Sequence, residues 1–216
     1  MFPFLGAKNK KVFFIYVLIP LLFLFGAPLN SYSNQVEKEL NDALTYYSQG
    51  AYPEALSRFE TLAQSFPQDS RFSIFKLMIA RCHYHLQDLP HAEKSFKSYL
   101  KEFPQSRFLP LCHFYLGNIK YMNGELPGSA SEFIQSYQEG EKETKKLALE
   151  SLQLLLQSHL DQTQLEKLAE ETEGQKIHSE ILFWWGRKEL NLGNYSRAEA
   201  IFKNYLNLFP QGEKAK

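Results

Sequence analysis

Histidine and cysteine are the residue types of this 216-residue chain that could bind a metal ion or act as a nucleophile. His83 and His85 lie two residues apart. On a helix such residues point about 200° away from each other, so they cannot bind one ion. Cys112 and His113 are sequence neighbours that also diverge on a helix, which argues against a nucleophile pair. The sequence therefore predicts a protein with no catalytic residues, no metal site and no cofactor.

The two cysteines of the chain leave a disulfide and a pair of buried thiols as alternatives. An exported location would permit a disulfide. In the frame of the 37-residue repeat, however, Cys82 and Cys112 lie on the first helices of adjacent units, seven residues apart in height, which is about 10 Å on parallel helices. A disulfide needs Cα atoms within about 7 Å of each other. Two buried thiols are the favoured alternative.

Charge and motifs exclude further classes of function. The chain has 24 basic and 24 acidic residues. This balance argues against a nucleic-acid partner, which requires clustered basic residues to displace phosphate counterions. Neither a phosphate-binding glycine loop nor a nucleophile elbow is present. The acidic stretch Glu166–Glu173 is interpreted as a solvated helix face.

The first 33 residues differ in character from the rest. Three lysines within the first 11 residues precede the uncharged apolar run Val12–Ala27, and Ser31 and Ser33 follow it. This is the order of a secretory signal, and the run of about 16 residues is shorter than the ~20 that a spanning helix needs. We expect cleavage after Ser33 and an exported, periplasmic protein. The alternative is an uncleaved signal-anchor, a single membrane pass that leaves the remainder facing the periplasm.

The remainder of the chain repeats itself with a shift of 37 residues. A small residue, a turn residue, a second small residue and an aromatic residue recur in that order. A further copy follows the third after room for one degenerate unit. The recurring residues are Ala43, Ala80, Gly117 and Gly186 for the first small position; Gly50, Gln87, Gly124 and Gly193 for the turn; Ala55, Ala92, Ser129 and Ala198 for the second small position; and Phe59, Phe96, Phe133 and Phe202 for the aromatic position.

Each recurring position has a physical role in a pair of helices. Small residues on either side of a turn let two helices approach closely, and an aromatic residue four positions later lies on the same helix face. Pro67, Pro104 and Pro210 end the second helix of a pair because proline lacks the amide hydrogen. Ser70 or Ser106 could then cap the next helix. The predicted units are residues 35–71, 72–108, 109–141, 142–174 and 175–210, with a short tail at 211–216.

This pattern resembles the tetratricopeptide repeat, most closely at Leu192–Ala198 with Phe202 and Pro210. The resemblance implies an all-α fold, a right-handed α-solenoid of about five antiparallel helix pairs. The repeat of 37 residues is longer than is usual in this family, and it is similar to the repeat regions of exported bacterial proteins. Among these are the β-barrel assembly lipoprotein and the Tol–Pal-associated coordinator. This sequence departs from the lipoprotein group because no cysteine follows its apolar run, and from the coordinator because no heptad pattern precedes the first unit.

In this family the first helices line the concave side, so partner-binding residues are expected at fixed offsets from the first small position. The offsets select many Tyr, Met, Trp and Arg residues, which are enriched in protein interfaces. An aromatic groove of this kind suits an extended peptide or an amphipathic helix of an envelope protein. The alternative is that these side chains pack in the core. The candidates are Tyr47, Leu77, Met78, Arg81, Tyr84, His85, Phe114, Tyr115, Asn118, Tyr121, Met122, Phe183, Trp184 and Arg187.

The last repeat is expected to lack a polar capping helix. Phe202, Tyr205, Leu206 and Phe209 are predicted to be partly bare for that reason. Self-association there, a capping partner, or a longer protein would each explain the pattern. The leading prediction is a non-enzymatic, exported repeat scaffold that binds a protein or peptide in the cell envelope. The alternative is a structural repeat module of a larger or oligomeric assembly whose active domain lies elsewhere.

Overall fold

The structure is a computed structural model that describes residues 29–212 and Lys214. The predicted leader lies outside the described residues as far as residue 28. The first described helix begins at Leu29, so the predicted cleavage point after Ser33 falls inside it. Cleavage itself stays a prediction. The chain divides into two compact units, the first ending at Phe72 and the second beginning at Ser73.

Regular structure in residues 29–212 is entirely helical, and the predicted all-α fold of helix pairs is confirmed. A π-helical segment, Leu155–His159, separates the seventh and eighth α-helices. The α-helices are α1 (Leu29–Ser48), α2 (Tyr52–Ser65), α3 (Phe72–His85), α4 (Leu89–Glu102), α5 (Leu109–Met122), α6 (Leu126–Glu139), α7 (Lys142–Leu154), α8 (Gln162–Glu171), α9 (His178–Asn191) and α10 (Tyr195–Leu208).

The turn position of the repeat has the same backbone conformation in four pairs. Gly50, Gly124 and Gly193 have φ values of 77°, 78° and 79°, and Gln87 has φ of 60°. These values lie in the left-handed region, which glycine enters without the Cβ clash that other residues meet. The sequence therefore located these turns correctly. Gln87 is the non-glycine residue among them and holds the same conformation at a cost.

The first unit contains the pair α1 and α2, which pack against each other. Ala43, Ala55 and Phe59 are completely buried, as the repeat pattern predicts. Outside that core, the Arg58 guanidinium lies 4.7 Å from the centroid of the Tyr46 ring. At the end of α2, Asp69 accepts hydrogen bonds from the backbone and side chain of Arg71. Asp69 and Arg71 thus order the backbone that follows α2.

Helices α5 and α6 of the second unit approach each other closely at Gly117. A Cβ atom on Gly117 would lie 2.6 Å from Cε1 of Phe133, so the ring occupies the space that a side chain would need. Ser129 Oγ donates to the carbonyl oxygen of Gly117 at 2.8 Å. Gly186 meets the Phe202 ring in the same way in the last pair. The small and aromatic positions of the repeat therefore form the crossing between paired helices.

Two apolar clusters form the core of the second unit. One joins α3, α4 and α5 around Ala80, Phe96 and Leu116. The other joins α6 to α10 around leucines of α7, the π-helical segment and α8. Within this unit α5 packs on α7, and the π-helical segment packs on α9. In this unit the first helices of the third, fourth and fifth pairs are therefore neighbours.

The fourth pair departs from the other four. Its second helix, α8, has 10 residues where the other second helices have 14. Asp161 accepts a hydrogen bond from the backbone N–H of Gln164, whose side chain accepts from the backbone N–H of Asp161. This reciprocal capping box begins α8. Residues 142–174 lack the repeat pattern but still form a helix pair, which contains the π-helical segment and this capping box.

The end of the described chain corrects one prediction. Tyr205 was expected to be partly bare but is 3% exposed. The backbone turns at Phe209–Gly212, where Gly212 N–H donates to the Phe209 carbonyl at 2.9 Å, and Gly212 packs beside the Tyr205 hydroxyl. Leu206, in contrast, is 47% exposed.

Among the helices of the described residues, none combines the length and apolar content needed to cross a membrane.

Candidate functional site

The candidate surface consists of first-helix side chains in the second unit, on α3, α5 and α9. We call it the aromatic face. It is partly exposed, and the face combines aromatic rings with guanidinium, imidazole, amide and thioether groups. Its members are Arg81, Tyr84, His85, Phe114, Asn118, Tyr121, Met122, Phe183, Trp184 and Arg187.

Three predicted binding residues are core residues instead. Leu77, Met78 and Tyr115 are 3%, 4% and 8% exposed, which leaves them almost no surface for a partner. Tyr115 stacks on Phe96 with ring centroids 5.0 Å apart and planes 7° apart. The repeat offset placed these residues on the correct helices but did not reveal that their neighbours cover them.

Although Tyr115 is buried, it contacts several side chains of the aromatic face. The Tyr84 ring meets it edge-on at 4.8 Å, and the His85 ring lies 6.4 Å away. Arg81 Nε donates to the Tyr115 hydroxyl at 3.3 Å. These contacts fix four side chains from α3 and α5 in one arrangement, so this part of the face is preorganised.

Burial also sets the protonation states in this cluster. Burial raises the pKa of the Tyr84 hydroxyl, and the nearby Tyr115 adds to this while a hydrogen bond with Asn118 opposes it. Burial lowers the pKa of His85, and the positive charge of Arg81 lowers it further. His85 is therefore neutral near pH 7. The cluster presents a phenol and a neutral imidazole, with charge confined to the guanidinium of Arg81.

Tyr121 and Met122 are the more exposed members at the end of α5, at 37% and 42%. The Tyr121 hydroxyl lies 3.2 Å from Nε2 of His159, and the two rings meet edge-on at 5.3 Å. His159 ends the π-helical segment of the degenerate fourth pair, so the repeat pattern did not identify it. Phe114 lies deeper on α5 and packs between Tyr115 and Phe133.

The third group of the face lies on α9. Phe183 and Trp184 meet edge-on at 5.2 Å, and the Arg187 guanidinium lies 5.2 Å from the Trp184 centroid. The indole Nε1 of Trp184 is buried without a hydrogen-bond acceptor among the described residues. Lys214 lies against both rings, and its ammonium pairs with Glu180. The sequence pattern identified the rings and Arg187 but neither Glu180 nor Lys214.

Tyr47 belongs to the first unit and is described there alone. It is partly buried, and its ring meets that of Tyr52 edge-on at 5.4 Å. The contact joins the end of α1 to the start of α2, across the Gly50 turn.

Two polar clusters contain none of the members of the aromatic face. His83 and His91 stack at 5.4 Å and share the Asp88 carboxylate, while His113 and Lys120 share that of Glu132. Within the described part of the chain, no group of three or more His, Cys, Asp or Glu side chains is arranged to hold a metal ion. His83 and His85 lie in separate environments, in agreement with their predicted divergence.

Cys82 and Cys112 are both buried, and no disulfide joins them in the described structure. Burial raises the pKa of the Cys112 thiol to about 12. A thiol with so high a pKa is a poor nucleophile near pH 7 because almost none of it is thiolate. The structure thus has two buried thiols, which is the favoured alternative for the two cysteines.

Comparison of the sequence with known protein families gives one match. The sequence model of the YfiO family, described as outer membrane lipoprotein, matches residues 33–159. No curated protein matches the chain significantly. Among solved structures, the TPR-like repeats of a kinesin light chain from Podosopora anserina are similar at 11% identity with a TM-score of 0.49. That similarity covers 81% of this chain and 94% of the other.

The family match spans the first three helix pairs and the start of the fourth. It therefore includes α3 and α5 of the aromatic face, and it extends over more than half of the 216 residues. The match holds although the sequence departs from the lipoprotein group in the segment after the apolar run. The chain belongs to the YfiO outer membrane lipoprotein family.

Proposed function

We propose that this protein is an exported, non-enzymatic repeat scaffold of the bacterial cell envelope. It binds a protein or peptide partner through the aromatic face, which acts as a concave groove. Family membership supports the envelope location, because the family is one of outer membrane lipoproteins. The basic and apolar order of the first residues supports export.

The observation that carries the proposal is the combination of fixed and exposed groups on one set of helices. Tyr84 and Arg81 are fixed against buried Tyr115, while Tyr121 and Met122 remain accessible. Side chains that are already ordered lose little conformational freedom when a partner binds. Amphipathic rings and thioethers contribute contact area and hydrogen bonds to such interfaces.

A site-specific crosslinking experiment in the native cell tests this function. A photoreactive phenylalanine analogue replaces Tyr121 in one strain and Arg187 in another, because both residues are exposed. The matched control places the analogue at Tyr195, which is 70% exposed at the start of the second helix α10. We expect a defined adduct from Tyr121 and Arg187 and none from Tyr195.

The adduct is identified by mass spectrometry, and its binding is then measured with purified components. Tyr121→Ala combined with Met122→Ala should weaken that binding at least tenfold while helicity is unchanged. Equal crosslinking from all three positions, or unchanged affinity of the double variant, would contradict the proposal. Sequencing the mature N-terminus separates a cleaved leader from a retained anchor.

A second candidate function is that of a structural module in a larger or oligomeric assembly. The supporting observation is the outer surface of α10, where Leu206 and Leu208 are 47% and 50% exposed. The equivalent of Leu206 in the second pair, Leu100, packs against the cluster that includes α5. Light scattering tests this candidate: Leu206→Lys should convert an assembled species to monomer, and a monomeric wild-type chain would contradict self-association.

A further inference from the structure

The α9 part of the aromatic face contains a group of side chains arranged around a cation. The Lys214 ammonium lies 4.7 Å from the centroid of the Phe183 ring and 5.4 Å from that of Trp184. It also pairs with Oε2 of Glu180. Two aromatic faces and one carboxylate are the elements with which proteins recognise an ammonium group.

Glu180 is held in place for this role by a residue of another helix. Gln153 on α7 donates from Nε2 to the same Oε2 atom at 3.1 Å. The Glu180 side chain is 18% exposed and that of Lys214 is 25% exposed. An ion pair shielded to this degree is screened less by salt than one on the open surface. The carboxylate is therefore positioned by the fold independently of the lysine.

A hydrogen-bond donor without an acceptor lies beside the cation. Trp184 Nε1 is buried and has no acceptor within the described residues, although a buried donor without one is costly. Its neighbours on the face, Arg187 and Lys214, supply only further donors. An arriving peptide could supply the missing acceptor through a backbone carbonyl group.

We propose that Glu180, Phe183 and Trp184 form a lysine-binding subsite, which Lys214 of the same chain occupies and from which a lysine of a partner peptide displaces it. The subsite rests on the proposed function, since it gives the chemistry that the α9 end of the aromatic face selects. Lys214 acts as an internal competitor. A short connection gives such a competitor an effective concentration on the order of millimolar, so a free peptide binds the occupied subsite weakly.

The test uses the full chain and the indole N–H resonances of Trp184 and Trp185, the two tryptophans of the sequence. Lys214→Gln empties the subsite, and Lys203→Gln is the matched control because Lys203 is exposed and pairs with Glu199 within α10. We expect Lys214→Gln to shift the Trp184 resonance and leave that of Trp185 in place. Lys203→Gln should shift neither resonance.

The added ligand is the acetylated peptide with the sequence of residues 211–216, and its control carries norleucine at both lysines. We expect the lysine peptide to bind the Lys214→Gln chain at least tenfold more tightly than the wild type and to restore the Trp184 resonance. The norleucine peptide should not bind, and Glu180→Gln should abolish binding. Circular dichroism confirms that each variant is folded.

Three results would overturn the subsite: an unchanged Trp184 resonance in Lys214→Gln, equal affinity of wild type and variant, or equal binding of the norleucine peptide. These outcomes are separate from failure of the proposed function. If the subsite fails while Tyr121 still crosslinks to a partner, the groove stands without this lysine specificity. If the peptide binds but no partner crosslinks, the subsite stands and the groove function fails.

Discussion

The third and fourth helix pairs are neighbours in one unit yet are built differently. In the third pair, Gly117 and Ser129 bring α5 and α6 together under the Phe133 ring. The positions 37 residues later are Leu154 and Glu166, which cannot make that crossing. There the helix changes to π geometry at Leu155, and a leucine-rich core replaces the aromatic crossing.

The difference shows that the small residues of the repeat serve the close packing of paired helices and are not required for the helices to form. Both pairs form, but the fourth pair buries leucines and begins its second helix with a side-chain cap. The π-helical segment also places His159 beside Tyr121. Loss of the repeat pattern in one unit therefore adds a polar contact to the aromatic face.

The largest expected effect is from the ring at the crossing of the third pair. Phe133→Ala should lower the free energy of unfolding by about 3–5 kcal/mol, because it leaves a cavity where Phe133 is 2% exposed. Urea unfolding followed by circular dichroism measures this change. Leu154→Ala in the fourth pair, at a site that is 51% exposed, should change stability by no more than about 0.5 kcal/mol. Equal losses would contradict the different burial of these two positions.

Gly117→Val tests whether the close approach needs an absent side chain. The new Cβ would lie 2.6 Å from the ring of Phe133, and overpacking of this kind costs about 1–3 kcal/mol. In a Phe133→Ala background the same change should cost much less, because the ring is gone. A double-mutant cycle by urea unfolding measures the coupling. Additive effects would show that the ring is not what excludes the side chain.

Asp161→Ala removes the cap that the fourth pair uses in place of a close crossing. We expect a loss of about 1 kcal/mol, because the first turn of α8 loses the acceptor for the Gln164 N–H. Asp161→Asn keeps a capping oxygen and serves as the matched control in thermal unfolding. An equal loss in both variants would assign the effect to charge rather than to capping.

Substitutions at the left-handed turns are expected to have a smaller effect on stability. Gly124→Ala in the third pair should cost about 1 kcal/mol because its φ is 78°. Gln87→Gly, at φ 60°, should instead stabilise the chain by roughly 0.5 kcal/mol, since the strain that glycine removes exceeds the cost of the unfolded-state entropy that it adds. Urea midpoints report both signs. Stabilisation by Gly124→Ala would contradict the strain assigned to these turns.

The smallest expected effect is the pH-dependent contribution of Glu132, on α6 of the third pair, to the stability of the folded chain. Burial raises the pKa of Glu132, but hydrogen bonds from His113 and Lys120 outweigh burial and hold it below the usual 4.5. A depressed carboxyl pKa stabilises the folded state above the ordinary pKa, and that stability is lost as pH falls through the folded value. Glu132→Gln should therefore flatten the loss of stability between about pH 5 and pH 3, measured by urea unfolding.

Recurring positions were predictable because one physical requirement acts in every pair. The left-handed turns at Gly50 and Gly124 and the crossing at Gly117 follow directly from residue type. Leu77, Met78 and Tyr115 were misplaced because an offset along a helix gives direction but not the cover supplied by other helices. Lys214, His159 and Gln153 were not identified because they lie outside the repeating positions. Their contacts depend on the tertiary path of the chain.

The buried Cys112 thiol has a practical consequence for measuring motion. It is 0% exposed, and its pKa of about 12 makes it nearly inert while α5 is packed. A thiol reagent would modify it only while α5 is transiently detached from its neighbours. The rate of modification at Cys112, resolved from that at Cys82, thus reports local opening of α5 without an engineered residue.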